Sequence, residues 1–159
     1  MTVGSGEGGM RDAGSPVELR RLYWVGPLTV VAATLGVLVV RVIGVAIVRP
    51  SPAFPHLAWL PPTVFTVFLV ICAVLVFALV VRFSKRPYRM YFIISVIVLV
   101  LSFLPDAAEP VFALVPGANW PNAILLMILH VVAWAITVGM LFRLTRSRSA
   151  ARGEPQRVR

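Results

Sequence analysis

Thr63-Val-Phe-Thr-Val-Phe-Leu-Val-Ile-Cys-Ala-Val-Leu-Val-Phe-Ala-Leu-Val-Val81 is a run of 19 residues without a charge, closed by Arg82. At about 1.5 Å per helical residue it reaches about 28 Å, close to the thickness of a bilayer's hydrocarbon core. The stretch therefore predicts a membrane-spanning helix. The whole chain agrees: 59% of its 159 residues are hydrophobic and the mean hydropathy is +0.91. Soluble domains average about 45–50% apolar residues, so the expectation is an integral membrane protein.

Downstream of that run, Arg82-Phe-Ser-Lys85-Arg86-Pro87-Tyr88-Arg89 is a tight basic turn. A third span follows at about 90–107, because residues 90–104 alone are too few to cross. Pro105 should kink or end that helix and free a backbone carbonyl. Pro110-Val-Phe-Ala-Leu-Val-Pro116-Gly117 is apolar but short, which suggests a piece lying in the interface, with Trp120 as a belt residue. The fourth span is expected at about 121–142, with Pro121 suited to a first turn and Arg143, Arg146 and Arg148 beyond its end.

Upstream, residues 49–62 hold five prolines, so they should form a stiff loop without regular helix. Trp59 would lie at the membrane surface, and His56 reads as a solvated loop residue. The first span is expected at about 22–48, preceded by Arg20 and Arg21 and opened by Tyr23 and Trp24. It is too long for the core of a signal peptide and carries Arg41, so it reads as a retained span. Residues 1–19 and 147–159 read as disordered cytoplasmic tails, the second of them basic.

Fifteen Lys and Arg against six acidic residues give a net charge of +9. They cluster beside the apolar runs, which points to anionic lipid headgroups as partners and away from nucleic acid. Arg20, Arg21, Arg82, Lys85, Arg86, Arg89, Arg143 and Arg146 are the expected headgroup contacts, while the opposite side has only Arg49. The fold class is therefore an all-α integral membrane four-helix bundle with both termini cytoplasmic. The excess of Arg over Lys, with Lys85 the single lysine, hints at a GC-rich bacterial genome, and the expected location is a bacterial plasma membrane. Cys72 is the single cysteine, which rules out an intrachain disulfide and paired-thiol chemistry; mid-span it reads as a small hydrophobe.

Three ionisable residues fall in the same half of the expected membrane. Arg41 lies about 10 Å below the outer boundary and His130 about 13 Å below it, with Asp106 at or just under that boundary. Ser102 is one turn before Asp106, and Thr34, Gly44, Trp134 and Thr137 flank the other two at helical spacing. Two readings stay open. Arg41 and Asp106 form an ion pair that fixes helix register, with His130 hydrogen-bonded to one of them. Alternatively, the trio lines an outward-facing cavity for a ligand, ion or lipid headgroup, with Glu109 at its rim.

Enzyme constellations are missing: no Gly-x-Ser-x-Gly, no His-Glu-x-x-His and no paired carboxylates within a span. A bis-histidine haem needs a second His at depth, and a proton-driven exporter a carboxylate nearer mid-membrane. No enzyme activity, cofactor or metal is expected.

Five features together resemble a bacterial family of small four-span membrane proteins classed as a domain of unknown function. These are Arg20-Arg21-Leu-Tyr-Trp-Val-Gly entering the first span, Arg41 late in it, Phe77-Ala-Leu-Val-Val-Arg-Phe closing the second, Leu101-Ser-Phe-Leu-Pro-Asp106 ending the third, and Leu129-His130 in the fourth. The resemblance covers about residues 20–146 and implies fold and topology without a mechanism. The expected role is a non-enzymatic membrane component that binds a ligand, a lipid or a partner protein. The alternative is a small transporter or transport-accessory subunit, oligomeric, with Arg41, Asp106 and His130 lining its pathway.

Overall fold

A computed structural model describes residues 19–145. Residues 1–18 and 147–159 of the expected tails and Arg146 lie outside the described residues, while Leu19, expected in the first tail, opens the first helix. Four helices run in order: α1 (Leu19–Val48), α2 (Leu60–Phe83), α3 (Pro87–Phe112) and α4 (Trp120–Thr145). Each is long and apolar enough to cross a membrane, and among the described residues there is no strand. The short connections at 49–59, 84–86 and 113–119 make neighbours antiparallel. The helices close a ring in which α1 and α4 pack most intimately and α2 and α3 only sparsely.

Glycine sets the α1–α4 approach. A Cβ on Gly44 would stand 2.2 Å from Leu125 Cδ1, and one on Gly36 2.3 Å from Ile136 Cδ1. Outward, large apolar side chains such as Val39, Phe65, Phe68, Val100 and Leu104 are exposed along the helices. In water so much apolar surface would drive aggregation, whereas lipid tails solvate it. The chain is a multi-pass membrane protein.

Two cores hold the bundle at opposite ends. At the basic end Val25, Phe77, Val81, Tyr91, Val138 and Leu141 are buried together. Aromatic rings tighten this end: Phe77 meets Tyr91 edge-on at 5.0 Å between centroids, and Tyr88 meets Phe142 at 5.2 Å. At the other end Phe54 and Leu57 from the α1–α2 connection are buried with Val37, Leu125, Leu126 and Leu129. The proline-rich connection is thus a plug folded back onto the bundle, and Pro55–Leu57 forms one 3-10 turn within it.

The third span differs from expectation. The helix starts at Pro87 and continues through Pro105 and Pro110 to Phe112, so no separate interfacial piece begins at Pro110. Each proline deletes one backbone donor, while Ala107 and Ala108, the best helix formers, carry the turn between them. Ala113, at φ 50°, then stops the helix in the left-handed conformation, and the Leu114 N–H donates back to the Glu109 carbonyl at 3.2 Å. Asp106 consequently lies six residues inside the helix, about 9 Å from its end, deeper than the sequence suggested.

Candidate functional site

Asp106 and Glu109 stand three apart on α3 and so share one face of it. Both side chains are about nine-tenths buried, 9% and 10% exposed respectively. A carboxylate this buried beside lipid needs partners. Each has one histidine, and the two histidines come from different elements.

Glu109 Oε1 lies 2.6 Å from Nδ1 of His56, which the 3-10 turn carries across from the α1–α2 connection. Asp106 Oδ2 lies 3.1 Å from Nδ1 of His130 on α4. The same His130 nitrogen is also 3.0 Å from the Leu126 carbonyl, one turn back on its own helix. One N–H on Nδ1 can be shared between these two acceptors as a bifurcated hydrogen bond. His130 is thus the partner of Asp106 Oδ2, as His56 is of Glu109 Oε1. Glu109 Oε2, the oxygen facing away from His56, is buried and donorless.

Both carboxylates open onto a cavity of about 460 Å³ between α2, α3 and α4, with His56, Thr66, Ser102 and His130 also in its wall. A second cavity of about 300 Å³ continues along the same helices toward Tyr91 and Trp134. Leu69, Val70, Ser102, His130 and Ala133 line both, so the two cavities are neighbours along α2, α3 and α4. The lower part is almost wholly apolar, with Thr137 Oγ1 buried without a partner and its other polar groups bonded within the protein. Ser102 Oγ donates to the Leu99 carbonyl at 2.7 Å, and the Trp134 indole donates to Ser95 Oγ at 3.1 Å. Cys72 lines this lower part, half-buried.

Arg41 is a correction. The expected ion pair with Asp106 does not form. Its Nε and Nη2 both donate to the Leu57 carbonyl, at 2.9 and 2.5 Å, and its guanidinium carbon lies 4.1 Å from the centre of the Trp59 ring. The cause is the plug: a 3-10 turn leaves its last carbonyl without a backbone donor, and Arg41 lies beneath that carbonyl. Arg41 is 7% exposed and has no carboxylate partner among the described residues. Its role is to fasten the plug.

Of the expected polar cluster, Asp106, Glu109, His130 and Ser102 come together in the cavity wall and Arg41 does not. The sequence reading missed His56. Its signal was there: an acidic residue and a histidine, each beside a proline, Glu109 near the end of α3 and His56 in the connection on the same side. Of the expected headgroup contacts, Arg82, Lys85, Arg86 and Arg89 lie at and after the α2–α3 turn, with Arg21 and Arg143 near the ends of α1 and α4 at the same end of the bundle. No group of three His, Cys, Asp or Glu among the described residues is arranged to hold a metal ion.

One family model, a family of unknown function designated DUF6069, matches residues 15–147. No curated protein and no solved structure matches the chain.

Proposed function

The chain belongs to this family of unknown function, and from its own geometry we propose that it is a non-enzymatic membrane protein that binds a small amphipathic ligand. One observation carries the reading. Asp106 and Glu109, each paired with a histidine, line the head of a cavity whose wall is mostly apolar, and Glu109 Oε2 is buried without a donor. A buried polar atom without a partner is unfavourable by about 1–3 kcal/mol, so a ligand supplying the missing donor would be held where the protein alone is unsatisfied. The apolar groove would take the rest of that molecule.

The distribution of Lys and Arg orients the site. With the basic end in the cytoplasm, the carboxylates lie in the opposite leaflet of the plasma membrane and both termini are cytoplasmic. Native mass spectrometry of the protein released from nanodiscs tests the reading. A retained molecule lost from an Asp106→Asn, Glu109→Gln variant supports it, and an empty protein that also binds no added amphiphile refutes it.

A second reading rests on the two cavities being neighbours. The five residues lining both cavities extend the site from the carboxylates toward the basic end, as a transport pathway between α2 and α3 would. Flux of a retained ligand into liposomes separates a carrier from a binding protein.

A further inference from the structure

Two histidines clasp the proline-bearing end of α3 to two different elements. His56 on the plug meets Glu109 at 2.6 Å, and His130 on α4 meets Asp106 at 3.1 Å. Other restraints on this end are weak. Pro105 and Pro110 lack the N–H groups that would donate to the Leu101 and Asp106 carbonyls, and α3 packs against α2 only sparsely. The cavity of about 460 Å³ lies directly behind, with Asp106 and Glu109 in its wall.

Both clasps depend on a proton. Imidazole changes charge between about pH 5 and pH 8. A doubly protonated ring donates from Nδ1, and its positive charge neutralises the carboxylate it faces. When the other ring nitrogen gives its proton to water, the Nδ1–H stays in place but the positive charge is gone. Asp106 and Glu109, three apart on one face of α3, then carry two like charges within a mostly apolar wall, which is unfavourable and mutually repulsive.

No neighbouring element makes good that loss. From α1 comes Arg41, which is engaged by the Leu57 carbonyl and the Trp59 ring. Arg49, at the start of the plug, is exposed. The wall of the larger cavity has no charged or titratable side chain from α2 and only His130 from α4. Among the described residues neither carboxylate has a second cationic partner. Water reaches the first clasp, since the His56 side chain is 41% exposed.

We propose that the proline-bearing end of α3 is a proton-operated gate on the α2–α3–α4 cavity, held against the plug and α4 while His56 and His130 are protonated and released along the α2–α3 seam when they are neutral. The hold is complete at the acid end of the histidine range and is lost as the pH rises through it.

The test is the distance across that seam in the full chain, in nanodiscs, by double electron–electron resonance at about pH 5 and about pH 8, the limits of that range. In a Cys72→Ala background, spin labels go on Phe112→Cys at the end of α3 and Leu60→Cys at the start of α2, both exposed positions. Tyr23→Cys with Phe83→Cys, exposed at the basic end, is the reference pair. The distance between the Phe112 and Leu60 positions is expected to lengthen by about 2 Å or more at the higher pH, the scale of helix shifts in switching proteins, while the reference pair stays fixed. Asp106→Asn with Glu109→Gln keeps the side-chain shapes and removes both negative charges, so the seam is expected to stay closed at both pH values. His56→Gln with His130→Gln has no proton to release and is expected to lose the pH dependence. The otherwise unaltered chain decides the matter even if a double variant fails to fold: an unchanged distance, a longer distance at the acid end, or equal lengthening in both label pairs overturns the gate. Lengthening that persists in either double variant overturns it as well.

Discussion

Replacing Arg41 by Leu tests which contact this buried cation makes. The two N–H donors to Leu57 are lost, and that carbonyl is left without a side-chain donor in the buried plug. An unsatisfied buried acceptor is unfavourable by about 1–3 kcal/mol, and loss of the guanidinium from the Trp59 face adds about 0.5–2 kcal/mol at a desolvated site. Relief of the buried charge offsets part of this, so the expected net loss is about 1–3 kcal/mol. The distinguishing measurement is a pair of double-mutant cycles by reversible unfolding in mixed micelles. Arg41→Leu with Trp59→Ala should show a coupling of about 1 kcal/mol, since the ring centre lies 4.1 Å from the guanidinium carbon. Arg41→Leu with Asp106→Asn should be additive within about 0.5 kcal/mol, because the two side chains share no partner. Strong coupling of Arg41 to Asp106 with none to Trp59 would refute the placement of Arg41 and restore the ion pair that the sequence suggested.

Other outcomes follow from the same geometry. Gly44→Ala should destabilise by about 1–3 kcal/mol, since its Cβ would push into buried Leu125, whereas Gly139→Ala, which meets nothing within 4 Å, should stay within about 0.5 kcal/mol of wild type in the same assay. His56→Ala removes the one side chain facing Glu109 Oε1 and should lower stability by about 1–3 kcal/mol; adding Glu109→Leu should recover part of that loss, and a fully additive double variant would show that the contact does not form. For topology, in a Cys72→Ala background, Ala53→Cys should react with an impermeant maleimide on intact cells and Lys85→Cys only after permeabilisation. Labelling of both from one side would disprove that the two connections lie on opposite faces.

Helix number and type were legible because hydrocarbon thickness imposes length on apolar runs, and the runs at 22–48 and 63–81 fall within α1 and α2. The end of α3 was not. A proline in a sequence signals a lost donor, but whether the helix stops depends on the residues beyond it, and here Ala107 and Ala108 carry it onward. Depth matching brought Asp106 and His130 into one region, and they do meet at 3.1 Å. The same argument misassigned Arg41, because equal depth fixes height along a helix and says nothing of azimuth or of what a loop does. The nearest acceptor proved to be a main-chain carbonyl, which no residue pattern marks. His56 was missed for the same reason: its position follows from the plug, and the plug from Phe54 and Leu57 being buried among α1 and α4 side chains.

The two ends of the bundle therefore carry different tasks. The basic end is an aromatic core in which Thr145 donates to the Leu141 carbonyl and the Tyr88 hydroxyl lies 3.5 Å from the Thr145 hydroxyl. The other end has two buried carboxylates, a buried guanidinium and a cavity, none of which improves packing. Buried ionic groups seldom stabilise a fold more than apolar residues of the same volume would, and in a membrane they are dearer still. Locking the helices together would have been achieved by pairing Arg41 with Asp106. Arg41 instead holds the plug, and each carboxylate pairs with a histidine from another element. The two histidine contacts tie α3 to the plug and to α4 beside the cavity.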